Sequence, residues 1–241
     1  MTVPLGSLRK TALVAGVLYL VTFVSIPTLA LYSPVHEANF IVGSGPVTGV
    51  LIGTVLELIV GLACIGTAVA LYPVVKRQNE GVALGFVATR TLEGATIFAG
   101  VACLLTLTTL RQAGVGPDGL VTGRALVALY DWTSFGGQSL LPAVNALLIG
   151  SLLYRSGLVP RILPLVGFVG AALLVVSDGA VLFGLWDRVS APAGIAALPI
   201  ALWELSLGIW LVAKGFKPSP ITDAPKGALG ALNAPNAPFR A

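Results

Sequence analysis

Charged residues are scarce in this sequence, and long apolar runs take their place. Only 10% of the 241 residues are charged and 56% are hydrophobic, whereas soluble globular domains carry about 25% charged residues. The mean hydropathy is +0.94, and several apolar runs reach the length of about 20 residues that crosses a bilayer. We therefore predict a multi-pass membrane protein, whose length leaves no room for a large soluble domain.

Histidine and cysteine are nearly absent, which limits the metal sites and catalytic mechanisms that the chain can support. The one histidine, His36, lies outside the apolar runs, so paired histidines cannot ligate a haem there and a Ser-His hydrolase is disfavoured. Cys64 and Cys103 lie in apolar segments at different predicted depths, which argues against a disulfide. The sequence has no phosphate-binding glycine loop, CxxC pair or HExxH helix. We expect no cofactor, no metal site and no assigned catalytic residue.

The net charge of +4 comes without a basic stripe interleaved with aromatic residues, so we expect no nucleic-acid partner. The lipid bilayer is the expected partner instead. Lys and Arg cluster in short loops at one end of the predicted bundle: Arg9, Lys10, Lys76, Arg77, Arg155, Arg161, Lys214, Lys217, Lys226 and Arg240. The other end holds only Arg111, Arg124 and Arg188. Because cytoplasmic loops carry an excess of Lys and Arg, this bias predicts that both termini are cytoplasmic.

Six apolar runs are long enough to span a membrane. Their approximate bounds are 11–32, 49–72, 82–110, 125–154, 162–186 and 192–213. All six are predicted to be helices, because lipid offers no partner for free backbone groups. The fold class is therefore an all-α integral membrane bundle of six transmembrane helices over 11–217, after a cytoplasmic N-terminus at 1–10. The segment 218–241 is rich in Pro, Ala and Gly, which predicts a disordered cytoplasmic tail.

Six ionisable residues lie inside the predicted spans. Five are acids and only one is a base: Glu57, Glu93, Asp131, Asp178 and Glu204, with Arg90. Such residues are rare in spans, face the bundle interior and mark function by default. Holding one Glu neutral at pH 7 costs about 3.7 kcal/mol. Since five acids cannot all pair with one arginine, several must be protonated, hydrated or bound to a cation.

Residue spacing indicates which faces carry these groups. The second predicted helix has small residues and one acid at intervals of four: Gly49, Gly53, Glu57 and Gly61. They share one face and allow another helix to approach closely, so we expect Glu57 to lie in a helix contact and not in lipid. Arg90 and Glu93 are three residues apart and can pair on one face.

The fourth predicted span combines a polar stripe with a helix break. Asp131, Gln138 and Asn145 recur every seven residues, and Pro142 interrupts the helix and frees a backbone carbonyl. Transporters place their sites at broken polar helices near the midplane. The proposed substrate-binding or ion-binding residues are Glu57, Arg90, Glu93, Asp131, Gln138, Asn145, Asp178 and Glu204. Their depths predict a funnel that is open outward and closed inward by Arg90 and Glu204.

Three functions stay open. In the leading hypothesis, an acid-lined cavity binds, senses or moves a proton, a cation or a small solute, with Glu57 and Glu204 as the proton-exchanging carboxylates. In the second, the protein is a non-catalytic structural or partner subunit of the cell envelope whose acids serve helix packing. In the third, Asp131 and Asp178 share a proton in an intramembrane aspartyl enzyme. Tyr130 before Asp131 resembles a presenilin-like motif, but Ser177-Asp178 departs from the Gly-Asp of that family.

Four stretches resemble, in order, a bacterial membrane family, the domain-of-unknown-function family 4386. They read RKTALVAGVLYLVTF, TAVALYPVVKRQNEG, NALLIGSLLYRSGLVPR and WELSLGIWLVAKGFK. The resemblance covers nearly all of residues 8–217. It implies a polytopic helical protein of the bacterial cell membrane. It implies no activity and assigns no functional residue.

Overall fold

The computed structural model of the chain describes residues 5–223. Its α-helical segments are α1 Leu5–Val21, α2 Thr28–Leu31, α3 Thr48–Val75, α4 Glu80–Gln112, α5 Leu120–Phe135, α6 Leu141–Ser156, α7 Ile162–Leu182, α8 Ala191–Ala213 and α9 Pro220–Asp223. A π-helical turn, Gly136–Leu140, joins α5 to α6, and a 3-10 turn, Thr22–Ser25, follows α1. We call the end that carries residues 33–47 the outer end and the opposite end, where α1 begins, the inner end.

Six stretches within residues 5–223 are long and apolar enough to cross a membrane. They are Ser7–Leu31, Thr48–Val75, Glu80–Gln112, Pro117–Ser156, Ile162–Leu182 and Ala191–Ala213. The predicted all-α bundle with six membrane spans is therefore confirmed. The fifth span ends earlier than predicted, because Gly184 takes a left-handed conformation with φ of +71°, a common way to end a helix. The first span leaves α-helical geometry after Val21 and forms the 3-10 turn Thr22–Ser25 ahead of Pro27, which has no N–H for the helical ladder.

The long helices form a closed ring. Around it, α1 packs on α3, α3 on α4, α4 on α6, α6 on α7, α7 on α8, and α8 returns to α1, while α5 packs on α4. Two crossings bring backbones very close. A Cβ atom on Gly16 would lie 2.8 Å from the Gly208 carbonyl oxygen, and one on Gly94 would lie 2.8 Å from that of Gly61. Glycine makes both contacts possible, so the glycine-bearing face of α3 is a helix contact as predicted.

Buried polar residues occupy a layer between two apolar clusters. The inner cluster includes Leu71, Phe86 and Trp203, and the outer cluster is built around Leu104 and Tyr130. Along both α3 and α4, the acids and Arg90 fall between residues of the two clusters. The polar layer is therefore enclosed above and below by apolar packing.

The loop between the first two spans is anchored at the outer end. Arg111, at the end of α4, donates from Nη2 to the Gly45 carbonyl oxygen at 2.9 Å and also to the Phe40 carbonyl. Its guanidinium lies 4.1 Å from the centroid of the Phe40 ring. These contacts fix the loop that carries His36.

The structure describes residues beyond 217, in the segment that the sequence predicts to be a disordered tail. The Ser219 hydroxyl donates to the Ser156 carbonyl, and Arg77 Nη1 donates to the Ile221 carbonyl oxygen at 3.3 Å. Ser219 and Ile221 are buried against the inner end. Residues 218–223 therefore pack on the bundle, because their backbone groups find partners there. The predicted disorder of 224–241 concerns residues outside the described part of the chain, as does the prediction for 1–4.

Candidate functional site

The centre of the polar layer is a three-residue ion cluster. Arg90 and Glu93 lie one turn apart on α4, and Glu204 approaches from α8. Arg90 Nη1 donates to Glu93 at 2.8 Å (Oε2) and 3.0 Å (Oε1), and to Glu204 Oε1 at 3.2 Å. The side chains of Arg90, Glu93 and Glu204 are 1%, 7% and 18% exposed. The structure thus contains the predicted Arg90–Glu93 pair and adds Glu204 to it.

Neutral side chains hold this cluster in place. Arg90 Nε donates to Thr67 Oγ1 at 3.2 Å, and Asn145 Nδ2 donates to Glu93 Oε2 at 2.6 Å. The Arg90 guanidinium also lies 5.2 Å from the centroid of the Tyr19 ring, a cation–π distance. These groups come from α1, α3 and α6. They orient Arg90 and Glu93 of α4, which contact Glu204 of α8.

Glu57 lies in a separate pocket of neutral donors. Its Oε1 accepts hydrogen bonds from Gln138 Nε2 at 3.0 Å and from the Tyr130 hydroxyl at 3.2 Å. Glu57 Oε2 has no hydrogen-bond partner among residues 5–223. The residue is buried, as the glycine spacing predicts, and these two partners come from α5 and the π-helical turn.

A local break in the fourth span aims its polar residues at different neighbours. The π-helical turn Gly136–Leu140 precedes Pro142, which has no N–H and whose ring disturbs the preceding turn. Gln138 in this turn reaches Glu57 on α3, while the hydroxyl of the next residue, Ser139, donates to Asp178 Oδ1 on α7. The predicted helix break is present, and it allows adjacent residues to serve two helices.

Among the predicted site acids, Asp131 lies at the outer end, in a cluster that the sequence did not predict. Its Oδ1 lies 3.1 Å from His36 Nε2 and 3.6 Å from Arg188 Nη2. His36 Nδ1 lies 3.3 Å from the Tyr32 carbonyl oxygen. The hydrogen bond to Asp131 raises the pKa of His36 above its usual value of 6.5, although partial burial lowers it. His36 and Arg188 lie in loops, whose path no helical periodicity reveals.

The geometry does not favour an aspartyl enzyme. Asp131 is held at the outer end by His36 and Arg188, whereas Asp178 is held by Ser139. Each carboxylate therefore has its own partners, and no hydrogen bond links the two within the described chain. A shared proton between them is not part of this arrangement.

A cavity of about 260 Å³ lies beside the ion cluster. Its polar lining is Thr22, Ser25, Glu93, Gln138, Ser139 and Glu204. A second cavity of about 390 Å³ lies at the outer end beside Asp131 and shares no lining residue with the first. The deep cavity and this outer cavity are separate, so the predicted single funnel is not continuous between them. Three of the predicted site residues line the deeper cavity: Glu93, Gln138 and Glu204. Three others do not line it but are hydrogen-bonded to a residue that does. Arg90 and Asn145 bond to Glu93, and Glu57 bonds to Gln138.

Comparison with known proteins identifies the family. Neither the curated proteins nor the solved structures include a match to this chain. The sequence profile of one family, described as a domain of unknown function, matches residues 14–215. This range contains all or part of each of the six spans and agrees with the resemblance of the four stretches. The chain therefore belongs to the DUF4386 family, a multi-pass membrane family whose molecular function is not established.

Proposed function

We propose that this protein binds a proton or a small cationic solute at Glu204 and Glu93, in the cavity near the middle of the membrane. The charge count of the cluster carries this proposal. Two carboxylates share one guanidinium there, as the contacts of Arg90 with Glu93 and Glu204 show. One carboxylate therefore needs a proton or a second cation, because an uncompensated buried ion costs several kcal/mol.

Glu204 is the carboxylate that meets the ligand. Glu93 already accepts hydrogen bonds from Arg90, Asn145 and Cys64. Within residues 5–223, Glu204 accepts one, from Arg90 at 3.2 Å, and it is the more exposed of the two acids. A ligand that replaces the hydrogen bond of Glu204 to Arg90, or binds beside it, therefore costs the protein little existing stabilisation. Gln138 and Ser139, which also line the cavity, serve to orient it.

Two broken helices beside the cavity favour movement of the ligand over static storage. The 3-10 turn Thr22–Ser25 and the π-helical turn Gly136–Leu140 both contribute lining residues. Discontinuous helices surround the binding sites of many transporters, where they expose backbone groups and act as hinges. We place the protein in the bacterial cytoplasmic membrane, with both termini in the cytoplasm. The Lys and Arg distribution and the family resemblance support this placement.

The test is the melting temperature of the purified full chain in detergent. We would measure it between about pH 5 and about pH 8 with Na⁺, K⁺ and tetramethylammonium. Any ligand of the folded state raises the melting temperature, because at a hundredfold excess over Kd it adds about 2.7 kcal/mol to the free energy of unfolding. Wild type is compared with Glu204→Gln and with Glu37→Gln, a control acid that is exposed in the outer loop.

Two outcomes are distinguishable. A shift with protons or a cation that Glu204→Gln loses and Glu37→Gln keeps supports the proposal. A chain whose melting temperature responds to no cation, and whose pH profile is the same in Glu204→Gln, contradicts it. The protein would then be a structural or partner subunit of the envelope in which the acids serve helix packing.

A further inference from the structure

We infer that the deep cavity takes its ligand sideways from the lipid, and that this ligand is an amphipathic organic cation with an ammonium head and an apolar body. This inference rests on the proposed function and narrows its ligand class. Three observations carry it: where the cavity opens, what surrounds the opening, and what lines the interior.

The cavity opens between the first and the last spans. One rim is the 3-10 turn and the residue after it, 22–26, and the other rim is the outer half of α8, with Ala197 and Ala201. Below this level α1 and α8 touch, because a Cβ atom on Gly16 would lie 2.8 Å from the Gly208 carbonyl oxygen. The 3-10 turn packs on α3 and α1 but not closely on α8, so the first and last spans meet at their inner parts and leave a gap farther out.

This gap faces hydrocarbon and not water. The rim residue Ile26 is 60% exposed, and Leu198, next to Ala197 on α8, is 63% exposed, as expected for apolar side chains that contact lipid. Glu204 follows Ala191, the first residue of α8, by 13 positions, which places it about 20 Å along the helix from the outer end. The hydrocarbon core of a bilayer is about 30 Å thick. A molecule that reaches Glu204 through this gap comes from the membrane interior.

The lining suits an organic cation better than a metal ion. Carboxylates lie on one side of the cavity, and apolar side chains such as Phe23, Ile97 and Ile200 form much of the remainder. Ca²⁺ and Mg²⁺ need about six or more oxygen ligands, and this mixed wall does not supply such a shell. An ammonium head can pair with Glu204 while its apolar body contacts the apolar wall. Phe23 adds an aromatic face of the kind that attracts quaternary ammonium.

The test compares two probes with the same head group. Octyltrimethylammonium carries an apolar chain that enters membranes, whereas tetramethylammonium does not. Binding of each radiolabelled probe is measured on the full chain reconstituted in phosphatidylcholine vesicles. We expect wild type to bind the octyl probe at least about tenfold more tightly than tetramethylammonium, and Glu204→Gln to lose this binding.

Variants at the rim test the access route. Ala201→Phe places a ring in the opening, and we expect it to slow association of the octyl probe about tenfold or more, because a blocked route changes the rate of entry and not the equilibrium affinity. Ala197→Phe, also on the α8 rim, is an independent second variant. Leu202→Phe is the control, because Leu202 is the next residue on α8 and is exposed on the outside of the bundle. The melting temperature of each unliganded variant shows whether it is folded.

The outcomes separate this inference from the proposed function. Equal association rates of the octyl probe with wild type and both folded rim variants overturn lateral access. A response to protons, Na⁺, K⁺ or tetramethylammonium that needs Glu204, without binding of the octyl probe, overturns the ligand class and leaves the proposed function intact. A chain that binds neither probe and shows no Glu204-dependent response overturns both.

Discussion

At the scale of single residues, Arg90 explains how a membrane bundle holds two acids near its centre. The guanidinium donates to Glu93, Glu204 and Thr67, and hydrogen bonds between charged groups are about twice as strong as neutral ones. Glu93 is predictable from sequence because a spacing of three residues places it on the same helix face. Glu204 is 114 positions away from Arg90, so only the packing of α8 on its neighbours reveals it.

His36 gives a residue-scale prediction about pH. Its pKa is raised above 6.5, first by the hydrogen bond to Asp131. A group whose pKa is higher in the folded state stabilises the fold fully below its unfolded pKa, and this contribution is lost as pH rises through the folded pKa. We therefore expect wild type to lose stability relative to His36→Gln as pH rises from about 6 to about 8. The loss is less than about 1 kcal/mol, because both side chains are over a third exposed and solvent screens the pair.

Melting temperatures of both proteins across this pH range check the prediction. Asp131→Asn is the matched control, because it removes the other partner of the same pair. Wild type should therefore lose stability relative to Asp131→Asn over the same pH range. Parallel pH profiles for wild type and His36→Gln would mean that the pair contributes nothing.

At the scale of elements, the π-helical turn Gly136–Leu140 decides where the fourth span places its polar groups. Pro142 allows the break to be predicted, because proline lacks an N–H. The type of break could not be predicted, since it depends on how closely α4 packs against the turn. A Cβ atom on Gly137 would collide with the Thr96 side chain of α4, whereas one on Gly136 would have no neighbour within 4 Å.

This difference between adjacent glycines gives an element-scale prediction. We expect Gly137→Ala to destabilise the protein by about 1–3 kcal/mol, because the new methyl group overpacks the contact between α4 and the turn. The same variant should weaken ligand binding at the deep cavity, since Gln138 and Ser139 lie in this turn. Melting temperature and the cation response described for wild type are the measurements.

Gly136→Ala is the control for that prediction. It makes the same chemical change one residue earlier, in open space, so it should leave stability unchanged or slightly higher. If the two variants melt alike, the close contact of the turn with α4 is not present in solution.

At the scale of the whole molecule, six spans and an uneven distribution of Lys and Arg predict a topology. An even number of crossings would place both termini on the same side, and the excess of Lys and Arg at that side predicts that it is the cytoplasm. The apolar residues exposed around the ring of helices, such as Leu62 and Val176, are those that the surrounding lipid covers.

Fusion reporters test this topology. We expect green fluorescent protein to fluoresce, and alkaline phosphatase to be inactive, when each is fused after Lys217. A fusion of either reporter after Gly116, in the loop that follows the third span, should give the opposite result because an odd number of spans precedes it. Phosphatase activity after Lys217 would reverse the orientation, and the same result at both sites would contradict the number of spans.

The sequence by itself determined the environment, the number of spans and the local pairs. Apolar runs of about 20 residues reveal membrane helices because backbone groups must be satisfied within each span. Spacings of three and four predicted the Arg90–Glu93 pair and the buried position of Glu57, since such residues share a helix face.

Only the tertiary structure decided which polar groups meet across helices. Glu204 joins Arg90, Gln138 reaches Glu57, and His36 reaches Asp131. These contacts depend on how each helix is rotated and crossed, and hydropathy carries no such information. The gap between α1 and α8 has the same origin. It exists because the two helices touch through glycines at one level, while the 3-10 turn farther out packs on α1 and α3 and not closely on α8, so the gap follows from packing alone.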